Sequence, residues 1–479
     1  MMRSPVSHRA GRLLMFTATM IVVLIAGTPL REARAASDVA WAWKPYRIEI
    51  ALVAADRPEI TPSLVAEVAA TVERRIRQTY GSAWQATVGR RVATEKLHAL
   101  ETRLDALSVE DWQVSANDAP DKVLIVVLSH DGSTYRVLGR ELDAVLKSFG
   151  PAVERTATDR RLLDDAVEDV ISAAFRPVGR VIDVAAGKST IELRAAGLLP
   201  ESSWPQVARL GDVYLPILRA RRRDGSYSDT RSIPWTLLEI EDAVLVDGLA
   251  PRLTCRVQTG LINPLGVRQR GRNEAWVIGA GRPSGDTLLT VKSRAGGVPL
   301  ADCEVFSLGD AKSASSLGRT DAAGRLRIES THGRALSLIV ASRFLPLARV
   351  PLLPGLDSDV TVPVAADGRL REAEDWLTDW QTEFLDLYIR RRALMAAAGV
   401  HLERGDIPAA RTLLAQVDRV GSPSQRIESL EIRRRASVDG DPAAAKLLDQ
   451  LFTETLLTVR ALDDTTTQLD LQRRIDEGK

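Results

Sequence analysis

The sequence predicts a multidomain α+β protein, and three changes of pattern along the chain carry that expectation. From Tyr46 to Phe175 strand-like and helix-like stretches alternate. From Val178 to Val364 short strand patterns follow one another with no helix between them. After Gly368 the apolar spacing is helical to the end. A chain of 479 residues is also longer than one hydrophobic core usually organises. The expected layout is a leader at 1–35, an α/β domain at 41–176, a small β-barrel at 177–283, a β-sandwich at 284–366 and a helical tail at 369–479.

The leader sets the expected compartment. Arg3, His8, Arg9 and Arg12 precede the apolar run Leu13–Gly27, and Ala33-Arg34-Ala35 is a small-x-small cleavage pattern. That run of 15 residues is shorter than the roughly 20 a spanning helix needs. A removed signal peptide is the expectation, with an uncleaved membrane anchor as the alternative, and the mature chain is expected in the periplasm or cell envelope, or secreted. The net charge of +1 gives no global field for nucleic acid. Only 9 of the 64 basic residues are Lys, a skew that reads as genomic base composition. Cys255 and Cys303 are the only cysteines. An oxidising compartment permits a bridge between them, but their flanks read as strands of different domains, so two buried free thiols are the alternative.

In the first domain, Tyr46, Ile48, Ile50 and Leu52 alternate with Arg47 and Glu49, as a half-buried strand does. Thr61-Pro62 opens a helix, with Thr as N-cap and Pro where its missing N–H costs nothing. Leu64, Val68, Val72, Ile76 and Tyr80 form its apolar stripe. A short strand is expected at Trp84–Val88, then a second amphipathic helix through Leu97, Leu100, Leu104 and Leu107. Val123–Leu128 is continuously apolar, the mark of a strand covered on both faces, and Asp131-Gly132 turns it back into Tyr135–Leu138. A helix over Asp159–Phe175 ends before Pro177.

Val181, Ile191, Leu193, Val213, Leu215, Ile217, Trp235, Leu237, Leu253 and Val257 fall in short runs separated by turns at Gly187-Lys188, Asp224-Gly225 and Gly266. Short strands without helices suggest a small barrel. The Gly179-Arg180-Val181 and Gly211-Asp212-Val213 pairs resemble those of SH3-like barrels in bacterial envelope proteins.

Two stretches of turn chemistry follow. Pro299 in Gly297-Val298-Pro299-Leu300-Ala301 stiffens the entry to a strand at Cys303–Ser307. In Thr320-Asp321-Ala322-Ala323-Gly324, Asp321 can cap the turn and Gly324 can supply a left-handed residue. A further apolar strand is expected at Ala335–Val340. In order and spacing, Thr287–Val364 resembles the carboxypeptidase regulatory-like, transthyretin-type β-sandwich. That resemblance implies an accessory module, a spacer or binding surface without catalytic residues of its own.

In the tail, Trp376, Trp380, Phe384, Leu387 and Leu394 recur as the stripe of a long helix. Ala397-Ala398, Gly405-Asp406, Ala409-Ala410, Leu414 and Val417 resemble one tetratricopeptide-type hairpin, with a plain helical bundle as the alternative. Further helices are expected at Gln425–Ala436 and Pro442–Leu462.

Catalytic signatures are sparse. Ser129-His130-Asp131-Gly132-Ser133 places a His at a strand end as caspase-like proteases do, but that domain has no Cys nucleophile. The second Ser of an Asp-x-Ser-x-Ser metal site is replaced by Tyr135, and His98, His130, His332 and His401 are isolated from other imidazole or thiol ligands. No nucleophile elbow, phosphate loop, dinucleotide fingerprint or zincin motif occurs. The sequence therefore assigns no catalytic residue, metal or cofactor. Two basic runs, Arg219, Arg221, Arg222 and Arg223, then Arg268, Arg270 and Arg272, fall at expected hairpin tips of one barrel. Converging guanidinium groups would suit phosphate or carboxylate on an envelope polymer, and solvated tips are the plain alternative. The expected function is binding or scaffolding at the bacterial envelope, through the β-modules and helical tail, with an envelope protein or anionic glycan as partner. The rival is an envelope-polymer hydrolase with dispersed carboxylates.

Overall fold

The structure is a computed structural model describing residues 41–478, apart from 56, 92–103, 110–111, 113–118, 223–226, 245–250, 263, 266–272, 284, 310–312, 332, 344, 367, 438–441 and 463–464. The leader and its cleavage pattern lie outside the described residues. The chain forms two compact units. One comprises the chain to Gly285 with Ser330–Ala335 and Pro351–Leu356, the other Asp286–Glu329, Leu336–Val350 and the chain from Asp357.

The first unit begins with a mixed sheet. Its strands are β1 (Tyr46–Ala54), β2 (Trp84–Arg91), β3 (Lys122–His130), β4 (Tyr135–Asp143), β5 (Ser148–Phe149) and β6 (Val153–Ala157). The order is β2-β1-β3-β4-β5, with β6 paired to the other end of β4. β1 runs parallel to β2 and β3, and β3 is antiparallel to β4. Two helices, α1 (Pro62–Tyr80) and α2 (Leu163–Ala174), bury their apolar stripes on one face. Thr61 caps α1 by accepting the Leu64 amide at 3.2 Å. Ile48, Ile50, Leu124, Val126 and Leu128 face the helices, while Ala51, Val53, Val123, Ile125 and Val127 face a second core with Leu104 and Trp112. The continuous apolar run is thus explained by burial on both faces. Gly139 on β4 allows α2 its close approach, because a Cβ there would collide with the Val170 side chain.

The expected helix through Leu97–Leu107 is described only in its last part. Leu97 and Leu100 lie outside the described residues, and Leu104–Ala106 is a single 3-10 turn. Arg140 holds that turn by donating through Nη1 to the Leu104, Asp105 and Leu107 carbonyls at 2.7, 2.9 and 3.1 Å.

The barrel strands are β7 (Val178–Ala185), β8 (Lys188–Leu193), β9 (Val213–Arg221), β10 (Tyr227–Ser232), β11 (Thr236–Val244), β12 (Arg252–Thr259) and β13 (Asn273–Gly279). Six of them close in the order β9-β11-β12-β8-β7-β13 and back to β9, with β10 added at the outside of β9. Ile191, Leu193, Tyr214, Leu238, Leu253, Cys255 and Val277 fill the interior and are continuous with the core beneath α1 and α2. Trp235, expected in a strand, instead occupies the turn before β11 with φ 53°, and its carbonyl accepts the Gly260 amide at 3.0 Å.

The second unit contains β14 (Thr287–Ser293), β15 (Glu304–Leu308), β16 (Ala314–Arg319), β17 (Arg325–Ile328), β18 (Leu336–Ala341), most of β19 (Pro346–Leu352) and β20 (Asp359–Val364). They form a three-stranded sheet, β17-β14-β20, and a four-stranded sheet, β16-β15-β18-β19. The turn before β17 works as its residues require. Asp321 Oδ1 accepts the Ala323 and Arg325 amides at 2.9 and 2.8 Å, and Gly324 takes φ 71°. These bonds, the Arg325 amide first, hold the Asp321 carboxyl below its ordinary range.

The tail consists of α3 (Gly368–Glu403), α4 (Ile407–Val420), α5 (Pro423–Ser437), α6 (Pro442–Arg460) and α7 (Thr465–Asp476). Gly405, at φ 74°, and Asp406, which accepts the Ala409 amide at 3.2 Å, make the turn from α3 into α4. Met395, Leu402, Ala410, Leu414, Val417, Leu471 and Ile475 form the core shared by α3, α4 and α7. The other end of α3 meets α5 and α6, with Trp376 and Phe452 rings 6.1 Å apart and Trp380 Nε1 donating to Ser429 Oγ at 3.1 Å. No helix among the described residues is long and apolar enough to cross a membrane.

Cys255 and Cys303 are free and buried, so the bridge left open by the sequence is not formed. Burial pushes the Cys255 thiol up to about 12 and also raises Cys303. At pH 8 neither should carry appreciable thiolate. Ellman's reagent should therefore find no reactive thiol in the native protein and two per chain after unfolding. Rapid labelling of the native protein would contradict this burial.

Candidate functional site

A cavity of about 370 Å³ lies in the first unit, outside the barrel wall and beneath one end of the α/β sheet. Alternation along β13 explains its wall. Val277 points into the barrel, whereas Trp276 and Ile278 point outward and pack with Trp41, Leu146, Val178 and Ile217. β7, β13, β9 and β10 are consecutive neighbours in the sheet. Arg180 stands opposite Trp276, and Arg219 lies two residues along β9 from Ile217, the other neighbour of Trp276.

The result is an alternating row of guanidinium groups and rings. Arg194 lies 4.8 Å from the Tyr46 ring centre and 5.6 Å from Trp41. Arg180 lies 4.3 Å from Trp41 and 5.2 Å from Trp276. Arg219 lies 4.5 Å from Trp276 and 4.0 Å from Tyr227. Trp41 and Trp276 meet edge to face at 4.8 Å. Each such cation–ring contact stabilises by about 0.5–2 kcal/mol, more as water is excluded.

The floor is ionic. Lys122 Nζ donates to Glu141 Oε1 at 2.8 Å and Asp143 Oδ2 at 2.9 Å, with all three side chains at most 2% exposed. Glu141 also accepts the Arg176 amide at 2.7 Å and Arg176 Nε at 3.2 Å, and Asp143 Oδ1 accepts the Leu146 amide at 2.7 Å. Beside them, Arg194 Nη2 donates to Asp121 Oδ2 at 2.6 Å and to the Pro45 carbonyl at 2.6 Å. Burial pushes the Asp121 carboxyl up, but hydrogen bonds from Arg194 and the Arg47 amide and their nearby charges outweigh it and hold it below its ordinary range. The stability this pair contributes is present above about pH 3.8, the ordinary value, and is lost as pH falls below it. The cavity opens where Lys44 and Val145, both exposed, reach its edge.

Of the basic residues singled out in the sequence that are described, the structure brings Arg219 to this wall. Arg219 is 6% exposed, so it is no solvated tip. Arg221 is exposed and 3.9 Å from Glu274, and Arg222 is exposed. Arg223, Arg268, Arg270 and Arg272 lie outside the described residues. Sequence reasoning missed Trp41, Lys122, Arg180, Arg194, Tyr227 and Trp276 as a group. The one local signal was Asp121-Lys122, a charged pair directly before a fully buried strand.

The Ser129–Ser133 stretch is a turn. Asp131 Oδ1 accepts the Ser133 and Thr134 amides at 2.9 and 2.8 Å, which with the two hydroxyls hold its carboxyl well below the usual range. His130 Nδ1 accepts the Gly132 amide at 3.1 Å and stands 3.7 Å from Glu59. Among the described residues no group of three or more His, Cys, Asp or Glu is placed to hold a metal ion.

A scan against protein-family models finds no match, and neither does a search of curated proteins. Among solved structures, TolB from Acinetobacter baumannii is similar at 12% identity over 65% of this chain and 83% of its own, with a TM-score of 0.16. A group B streptococcus pilus 2b backbone protein is similar at 10% identity over 51% of this chain and 97% of its own, with a TM-score of 0.14. Such scores lie far below those of a shared fold.

Proposed function

We propose that this chain is an exported binding protein of the bacterial envelope whose first unit holds a small ligand in the cavity beside the barrel. One observation carries the reading: a cavity of about 370 Å³, within the range of small-molecule sites, walled by three guanidinium groups interleaved with aromatic rings. These are recognition groups. The two carboxylates that line the cavity, Asp121 and Asp143, are each tied to a cation, an arrangement suited to holding shape rather than shuttling protons.

The export reading rests on the leader's charge and apolar pattern. The three- and four-stranded sheets, with the Asp321–Gly324 turn, support reading 284–366 as a carboxypeptidase regulatory-like accessory module. The Gly405-Asp406 turn supports a tetratricopeptide-like hairpin at α3 and α4 as an interaction surface.

The test is native mass spectrometry of the mature protein after exposure to envelope small-molecule extract and desalting. One small molecule per chain should be retained, and Val145→Trp, which plugs the cavity mouth from an exposed position, should abolish retention. Hydrolysis of an envelope polymer that disappears in Asp121→Asn or Asp143→Asn would instead establish the hydrolase.

A further inference from the structure

Resting on that cavity reading, we infer that the ligand is an amphipathic organic anion, a single oxyanion group on an apolar or aromatic body. Arg219 would receive the oxyanion. Its side chain is buried, yet among the described residues its guanidinium makes no ion pair or hydrogen bond, and its Nε is without a partner. It lies over the faces of Tyr227 and Trp276.

The neighbouring charges do not complete it. Glu274 is its cross-strand neighbour, but Glu274 Oε2 already accepts from Tyr227 Oη at 2.8 Å and Trp276 Nε1 at 3.1 Å. Asp143 is taken by Lys122 and the Leu146 amide, and Arg180 adds a second positive charge on the same wall. A buried cation that lacks a carboxylate is costly unless something supplies one, and an incoming oxyanion would do so with charge-assisted hydrogen bonds. Trp41 Nε1, also buried without a partner, is a further donor on this wall. The body of such a ligand would lie against Leu146, Val178 and the indole of Trp41.

Two probes of nearly the same shape separate charge from shape. 1-Anilinonaphthalene-8-sulfonate carries an oxyanion, and N-phenyl-1-naphthylamine is its neutral counterpart. The sulfonate should bind the intact mature protein at one saturable site, about tenfold or more tighter than the neutral probe, the scale of one charge-assisted hydrogen bond. Arg219→Gln should erase that preference and leave the neutral probe's affinity unchanged, while exposed Arg221→Gln alters neither. If Arg219→Gln does not fold, the wild type gives the same answer, because sulfonate affinity alone should fall with added salt. Equal affinities that both vanish in Val145→Trp would overturn the anion assignment while leaving the cavity as a binding site. No binding of either probe, or binding that Val145→Trp leaves intact, would overturn both.

Discussion

Lys122→Met should destabilise the first unit by about 3–5 kcal/mol, the usual cost of removing one partner from a buried ion pair. Lys122 is 1% exposed at the start of β3, with its ammonium shared between Glu141 and Asp143 on the adjacent strand. Its loss would leave Asp143 with one amide bond and no cation, whereas Glu141 would keep Arg176. The damage should therefore fall mainly on Asp143. Adding Asp143→Asn to Lys122→Met should recover part of the loss, since the uncompensated charge is gone, and the two changes should be strongly non-additive. Hydrogen exchange of β3 and β4 amides in the whole chain reads this directly. A loss below about 1 kcal/mol would mean that the ammonium is solvated rather than buried.

How much of this was legible follows from how far apart the cooperating residues lie. Local signals worked: the Thr61 cap, the α1 stripe, the two-sided burial of Val123–Leu128 and the Asp321–Gly324 turn each depend on a few consecutive residues. The candidate site depends on closure of the barrel. Trp41 and Trp276 are far apart in sequence and meet only because β13 pairs with both β7 and β9 while Trp41 precedes β1. Before closure, Arg219 is indistinguishable from Arg221 two residues on. Its burial follows from Tyr227 on β10 and Trp276 on β13 covering its two sides. Asp121-Lys122 was visible as a charged interruption, but the sequence could not show that Glu141 and Asp143 would align with it across the β3–β4 pair.

In the tail, Trp380→Ala should cost about 3–5 kcal/mol, as truncating a buried aromatic does, whereas Ile389→Ala on the same helix should cost little. The sequence placed Trp376, Trp380, Phe384, Leu387 and Leu394 in one stripe, and Trp380 and Phe384 are its buried members. The observed seam also takes in Leu370, Leu377, Arg391, Met395, Ala398 and Leu402, a spacing of three, four and seven residues that keeps one face of a 36-residue helix against its neighbours. Trp380 stacks on Phe384 at 5.1 Å and is fixed by its bond to Ser429 on α5, so truncation removes both the ring packing and the hydrogen bond that Trp380 donates. Ile389 is 62% exposed and forms no part of the seam. Phe384→Ala should cost a similar amount, but the double variant should lose less than the sum, since the two rings share one contact surface. Arg391 gives the seam its polar register: it donates to the Val417 and Gly421 carbonyls at 3.1 and 2.7 Å and to Gln468 at 2.6 Å. Hydrogen exchange across α3 in the whole chain should show the protection near Trp380 collapsing in the Trp and Phe variants and unchanged in Ile389→Ala. Equal effects from Trp380→Ala and Ile389→Ala would mean that α3 packs through a different face.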